Sequence, residues 1–315
     1  MTLALAIHGG CGTLPKAEMT EAEWAQARSD LASALRAGWT ILSKGGPAVD
    51  AVEAAVRVME DSPLFNAGHG AAFNADGEHE LDASIMDGAT LAAGAVCAVK
   101  RIKNPVAAAK ALMLRGDPLL LAGPAADIFA EHEGIDTVEN DYFSTERRRK
   151  NLSSMKIREL VGTAAEASEA EKHGTVGAVA CDAQGHLAAA TSTGGYTNKP
   201  VGRVGDSPII GAGTYARDGR CAVSGTGKGE YFIRYCVGHE IASLMAYKGL
   251  SLEQATQEAM AELTAHKVGA GLVAVDETGH IVAPYNTDGM YRGWVTPDGL
   301  MHVATHADVE MAGQA

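Results

Sequence analysis

What most restricts the fold of this chain is how small its apolar side chains are. The sequence carries 37 glycines and only 5% aromatic residues, yet 46% of it is hydrophobic. Small side chains let sheets and helices approach closely and leave room for tight turns. A layered α/β body therefore fits better than an aromatic-rich β-sandwich. At 315 residues the chain exceeds what one compact core usually needs and falls short of three domains.

Residues 2–8 read as a short buried strand ending at His8-Gly9-Gly10. From Glu21 to Lys44, Trp24, Ala27, Leu31, Leu35, Trp39 and Leu42 recur at three- and four-residue steps, which predicts a helix with one buried stripe, stopped by Gly45-Gly46. Pro47 opens a second helix to about Glu60. A loop rich in Gly, Asn and His follows at 61–78, then two apolar segments around Asp87-Gly88 that predict a hairpin. Asn104-Pro105 caps a further helix.

Residues 144–173 differ in character. Their apolar residues are spent by Val161, and the end of the stretch, AAEASEAEKHG, has little to bury, which predicts a mobile segment or a weak surface helix. The segment GTVGAVACDAQGHLAAATSTGG then begins abruptly as strand–turn–strand. On composition alone a plain domain linker accounts for this junction. An internal echo follows: Gly177–Ala189 and Gly271–Ala283 share an apolar strand, a D-x-x-G-H turn and a second apolar strand. Shared turn chemistry explains the echo and makes His186 and His280 turn residues.

The net charge of −13 and a pI near 5.3 argue against nucleic-acid binding, which draws on Lys and Arg at phosphates. The one basic run, Arg147-Arg148-Arg149-Lys150, reads as a solvated helix face. No stretch approaches the roughly 20 apolar residues of a membrane span. No basic leader precedes the first strand, so no signal peptide is expected. The five cysteines form no C-x-x-C pair and suit reduced thiols in a cytoplasm.

Nucleotide and metal motifs fail on inspection. Gly227-Lys228 is followed by Gly229 rather than Ser or Thr, so no phosphate loop forms. Gly211–Ala216 matches G-x-G-x-x-A, but Arg217-Asp218-Gly219 is a turn where the helix should continue. His302 and His306 have helical spacing, yet Met301–Ala304 reads as a terminal strand.

The threonines carry more. Thr175, Thr191, Thr193 and Thr226 stand beside or near glycines in strand-to-loop positions, where unshielded N–H groups can stabilise an oxyanion. A threonine hydroxyl needs a base within reach. An N-terminal threonine has one in its own amine, whose unperturbed pKa is about 7.7–8.0. Gly174 offers an unhindered carbonyl for attack by that hydroxyl.

The blocks HGG (8–10), PLFNAGHGAAFN (63–74), ELDASIMDG (80–88), HGTVGAVACD (173–182), TSTGGYTNK (191–199), GRVGDSPIIGAG (202–213), GTGKGEYFIR (225–234) and NTDGMYRGW (286–294) run in one order along nearly the whole chain. In this the sequence resembles the plant-type (type III) L-asparaginases, or isoaspartyl peptidases, of the N-terminal-nucleophile hydrolases. The resemblance implies a single domain with a four-layer αββα sandwich, cut before Thr175 into an α chain (1–174) and a β chain (175–315). Residues 150–174 would then be the mobile tail of the α chain, and the two chains would pair further as (αβ)2.

Carried onto this sequence, the resemblance makes Thr175 the nucleophile and its amine the base. Thr193 orients it, and Thr226 with the N–H of Gly227 forms the oxyanion hole. Arg203 grips the substrate carboxylate and Asp206, helped by Gly229, the substrate ammonium. The pair makes charge sense for a zwitterion, although on sequence alone an ordinary surface salt bridge is the better reading of it. Asn66 lies near the site. The backbone carbonyls of Met59, Glu60, Ser62, Phe65, Ala67 and His69 would hold a structural Na+, and catalysis would need no cofactor. Two departures are Lys228, between two binding glycines, and Cys11, where the family often has a smaller residue. The implied activity is hydrolysis of L-asparagine and β-aspartyl dipeptides through a Thr175 ester. Glycosylasparaginase, a threonine endopeptidase and a non-catalytic relative remain the alternatives.

Overall fold

A computed structural model describes residues 2–11, 19–164 and 174–315. It is mixed α/β. Strand β1 (Ala4–Gly10) is followed by helices α1 (Glu21–Leu42) and α2 (Ala48–Asp61), then by the hairpin of β2 (Leu81–Asp87) and β3 (Ala93–Val99). Next come α3 (Pro105–Arg115), β4 (Leu120–Ala122), α4 (Pro124–His132) and α5 (Glu146–Leu160). The second half holds β5 (Val176–Cys181), β6 (Leu187–Thr193), β7 (Thr214–Arg217), β8 (Cys221–Gly227), α6 (Gly229–Tyr235), α7 (Val237–Lys248), α8 (Leu252–Ala265) and β9 (Ala270–Asp276). Strands β10 (Ile281–Val282), β11 (Tyr291–Val295), β12 (Leu300–Ala304) and β13 (Val309–Gln314) complete it.

Among the described residues the strands form two sheets. The larger has the order β13-β12-β11-β1-β5-β6-β2-β3-β4, the smaller β10-β9-β8-β7. Pairing is antiparallel throughout except between β3 and β4. Strand β5, directly after Thr175, therefore sits between β1 and β6 at the centre of the larger sheet.

Burial follows the two-residue period of a strand, with both faces apolar. Leu5 and Ile7 of β1, Ala178 and Ala180 of β5, and Ala188 and Ala190 of β6 belong to a core shared with Leu31, Leu35, Val52, Ala55 and Val56 of α1 and α2. The alternate residues Ala4, Ala6, Val179, Leu187 and Ala189 belong to a second core with Val223 of β8 and Leu272 and Ala274 of β9. The small residues of that second core are what let β1, β5 and β6 approach β8 and β9. On the small sheet's side, Ile241 of α7 and Ala255 and Leu263 of α8 join the same cluster.

The predicted stripe of α1 is buried at Trp24, Ala27, Leu31, Leu35, Trp39 and Leu42, and Thr20 with Glu23 forms a capping box at its start. The two D-x-x-G-H turns use one device. Asp182 Oδ1 accepts from the N–H groups of Gln184 and His186, and Asp276 Oδ1 accepts from those of Thr278 and His280.

Four expectations are corrected. Asn104 stands at the N-cap of α3 but makes no side-chain cap bond; its Nδ2 donates to Asp61 Oδ1 at 3.1 Å. The basic run is not wholly a solvated face: Arg148 is buried, its Nε donating to Gly70 O at 2.6 Å, and only Arg149 and Lys150 are exposed. The expected mobile tail at 150–174 is helical through Leu160, capped by the Thr145 side chain, while residues 165–173 lie outside the described residues. Strand β12 is not terminal, since β13 adds to its edge.

Candidate active site

Gly174 and Thr175 enter β5 with the junction held from three sides. The Gly174 carbonyl oxygen lies 2.7 Å from Thr175 Oγ1, 3.1 Å from Thr193 Oγ1 and 3.0 Å from Asn66 Nδ2. Thr175 Oγ1 also lies 3.2 Å from Thr193 Oγ1, which accepts from Gly195 N–H at 3.0 Å. The single Thr175 hydroxyl proton has two acceptors within reach, the Gly174 carbonyl and Thr193 Oγ1, while Thr193 donates to the Gly174 carbonyl. Thr193 can occupy this place because it ends β6, the neighbour of β5.

Asn66 is fixed by its own neighbours. Its Oδ1 accepts from Ala72 N–H at 2.7 Å, and its Nδ2 also reaches Gly195 O at 2.6 Å. Gly174 has φ +155°, and a Cβ there would lie 2.9 Å from Asn66 Cβ. Gly10 has φ +103°, and a Cβ there would lie 2.9 Å from Gly174 Cα and from Thr175 N. Glycine at both positions is thus required by close approach to the junction.

The next residue, Cys11, links the junction to Thr226 of β8: its N–H donates to Thr226 Oγ1 at 3.3 Å. The Thr226 hydroxyl in turn donates to Cys11 Sγ at 3.8 Å. Gly227 has φ +141°, and a Cβ on it would lie 2.5 Å from Gly269 O, so the strand end closes only with glycine.

Arg203, Asp206 and Gly229 lie close together. A Cβ on Gly229 would lie 2.7 Å from Asp206 Oδ1 and 3.0 Å from Arg203 Nη2. Asp206 is buried, and its Oδ2 has no hydrogen-bond partner among the described residues. Burial pushes its carboxyl up to about 7, with the nearby Arg203 charge opposing the rise. A buried acceptor of this kind suits a cationic ligand group.

Sequence reading missed two participants. Glu230 Oε1 accepts from Arg203 Nε and Nη2 at 3.1 and 3.0 Å, so it orients the guanidinium, which also stacks 4.6 Å from the Tyr196 ring. Its place in the first turn of α6 is also what an ordinary helix start would show, so nothing local marked it. The other is His8, whose Nδ1 lies 3.0 Å from the Thr175 carbonyl. Burial drives this imidazole down to about 3, so it stays neutral.

The loop at 59–70 was predicted as a carbonyl cage. Met59 O accepts from Ser62 N–H at 3.3 Å and Glu60 O from His69 N–H at 2.7 Å, which curls the loop. Gly70 has φ +116°, and a Cβ there would lie 2.7 Å from both Phe65 O and Pro63 O. The Gly68 position is likewise filled by Glu60 O. Hard carbonyl oxygens crowding glycine Cβ positions fit a small hard cation. Arg147 donates to Pro63 O and Leu64 O, and Arg148 to Gly70 O, so neither takes one of the six predicted carbonyls.

Among the described residues no helix is long and apolar enough to cross a membrane. The sequence matches the Asparaginase_2 family, described as asparaginase, over residues 1–305. It is 46% identical over 294 residues to an isoaspartyl peptidase of Salmonella typhimurium, covering 92% of this chain and 94% of the relative. A relative named isoaspartyl peptidase in Escherichia coli is also 46% identical, covering 92% of each chain. A probable isoaspartyl peptidase/L-asparaginase 2 of Arabidopsis thaliana is 38% identical, covering 96% of this chain and 98% of its own. With this match over nearly the whole chain, and with Thr175, Thr193 and Asn66 gathered on the Gly174 carbonyl at the start of β5, the chain belongs to the Asparaginase_2 family of hydrolases.

Proposed function

We propose that the chain cuts itself before Thr175 and then hydrolyses the side-chain amide of L-asparagine and of β-aspartyl dipeptides. The observation that carries the reading is the Gly174 carbonyl held by Asn66 and Thr193 beside the Thr175 hydroxyl. Attack by Thr175 Oγ on the Gly174 carbonyl carbon would place negative charge on that oxygen, where two donors already point. The resulting ester, once hydrolysed, leaves residues 1–174 and 175–315 as separate chains and frees the Thr175 amine as a base.

The same threonine then faces a substrate held at its zwitterionic end. Arg203 takes the carboxylate in a bidentate fork, and Asp206, in its carboxylate form beside Gly229, takes the ammonium. Thr226 Oγ–H and Gly227 N–H receive the oxyanion as Thr175 attacks the side-chain carbonyl. Water completes the turnover by hydrolysing the Thr175 ester. The names of the relatives, isoaspartyl peptidase and isoaspartyl peptidase/L-asparaginase, support these two substrates.

We extend the reading to the overall architecture. Helices α1–α3 cover one side of the larger sheet and α7–α8 one side of the smaller, which supports an αββα sandwich of the N-terminal-nucleophile type. A Na+ held by the carbonyls of Met59, Glu60, Ser62, Phe65, Ala67 and His69 would brace the loop that carries Asn66, a structural service only. The cleaved chains would assemble as (αβ)2, and five dispersed cysteines without a disulfide support a cytoplasmic location. Intact-mass measurement tests the core of this proposal. The purified protein should resolve into chains 1–174 and 175–315, whereas Thr175→Ala should stay whole and fail to release ammonia from asparagine. An active preparation with an unbroken backbone at 174–175 would refute it.

A further inference from the structure

Behind the nucleophile lies a line of buried polar groups that the proposed chemistry does not use. His8 Nε2 lies 2.9 Å from Ser224 Oγ, which lies 2.7 Å from Thr191 Oγ1. Thr214 Oγ1 donates to Thr191 at 2.6 Å, and Ser84 Oγ lies 2.8 Å from Thr214 Oγ1. These five side chains are all buried and come from β1, β8, β6, β7 and β2, so the line crosses from one sheet to the other. At its far end Ser84 and Thr214 both reach the Ser207 carbonyl, at 2.6 and 3.2 Å.

The direction of the bonds is set at the near end. The Thr175 carbonyl can only accept, so His8 Nδ1 carries the ring proton. Because the ring is neutral, Nε2 must accept, and Ser224 donates to it. Thr191 then donates to Ser224, and Thr214 to Thr191. From Thr214 to His8 the protons then point toward Thr175, whereas Ser84 donates to the Ser207 carbonyl. A second feature supports the same path. A Cβ on Gly177 would overlap Ser224 Oγ and lie 2.5 Å from His8 Nε2, so glycine at that point of β5 opens the passage between the sheets.

We infer that His8 is a positioning residue for the nucleophile: through a one-way hydroxyl line from Thr214 and Thr191 by way of Ser224, it fixes the main-chain carbonyl of Thr175. Side-chain hydroxyls that merely satisfied one another would stabilise the fold without touching the nucleophile's backbone. Here the last donor bonds the reacting residue itself, and misplacement of a nucleophile by about 1 Å costs about 100-fold in rate. The inference rests on Thr175 being that nucleophile.

The test compares wild type, His8→Phe, His8→Asn and Ser224→Ala for self-cleavage rate, and for kcat and KM on asparagine normalised to the cleaved fraction. Asparagine at position 8 can place an amide N–H near the site of Nδ1, whereas phenylalanine cannot donate. The expected result is a kcat loss of about 10- to 100-fold in folded His8→Phe, with KM within about twofold and slower self-cleavage. His8→Asn should recover most of that loss. Folded His8→Phe with wild-type kcat, or His8→Asn no better than His8→Phe, overturns the inference. Should His8→Phe not fold, Ser224→Ala decides: reduced kcat at unchanged KM supports it, and unchanged kcat overturns it. A wild-type chain that neither cuts itself nor hydrolyses asparagine would instead refute the reading of Thr175, and this inference with it.

Discussion

Replacing Asn66 by aspartate changes one donor into an acceptor and little else. Oδ1 would still accept from Ala72 N–H, so the loop around residue 66 keeps its anchor. The atom that replaces Nδ2, however, would face two carbonyl oxygens, those of Gly174 at 3.0 Å and Gly195 at 2.6 Å. Removing one oxyanion donor costs about 2.7–4 kcal/mol, or about 10²–10³ in rate. Thr193 remains as the second donor to Gly174 O at 3.1 Å, so cleavage should slow within that range rather than cease. The deficit should also depend on pH. The new carboxyl is buried, which favours its neutral form. Below its pKa it regains an O–H donor, so the ratio of wild-type to Asn66→Asp cleavage rates should shrink as pH falls. The assay is a time course on denaturing gels of freshly translated chain, following the appearance of chains 1–174 and 175–315 at several pH values. A folded Asn66→Asp protein that cuts itself at the wild-type rate near pH 8 would refute the assignment of Asn66 to the junction carbonyl.

Three further outcomes are expected. Asp206 must be ionised to hold an ammonium, so kcat/KM for asparagine should rise with pH through about 7. Its folded-state pKa is raised from 3.8, so the folded protein binds more protons across that window and loses stability as pH rises from about 4 to 7; Asp206→Asn should flatten that part of the Tm profile. Gly70→Ala would set a Cβ among the Pro63 and Phe65 carbonyls in a backbone region that alanine rarely adopts, costing about 1–3 kcal/mol. Chemical unfolding should register that loss, and a rise in wild-type Tm on exchanging choline for Na+ should vanish in the variant. Lys228 is exposed beside Gly227 and Gly229, where it can meet the free carboxylate of a dipeptide leaving group. An exposed ion pair is worth about 1 kcal/mol at most, so Lys228→Ala should raise KM for β-aspartyl dipeptides by up to about fivefold and leave that for asparagine unchanged.

The sequence by itself determined whatever depends on neighbours a few residues away. The stripe of α1, the stop at Gly45-Gly46, the paired D-x-x-G-H turns and the break between polar tail and core strand at Thr175 all follow from local periodicity and turn chemistry. Ordered blocks such as HGTVGAVACD and GRVGDSPIIGAG also marked the threonines and the Arg203–Asp206 pair. Other features were decided only by tertiary structure, because they depend on partners far apart in the chain or on burial. Asn66 meets the Gly174 carbonyl across 108 positions, and His8 meets Ser224 across 216. The raised carboxyl of Asp206 and the neutral ring of His8 come from desolvation, which no residue pattern displays. Arg148 looked like one more cation on a solvated face until the loop at 63–70 folded over it. A side chain's identity is local, whereas its dielectric surroundings and its partner belong to the assembled sheets.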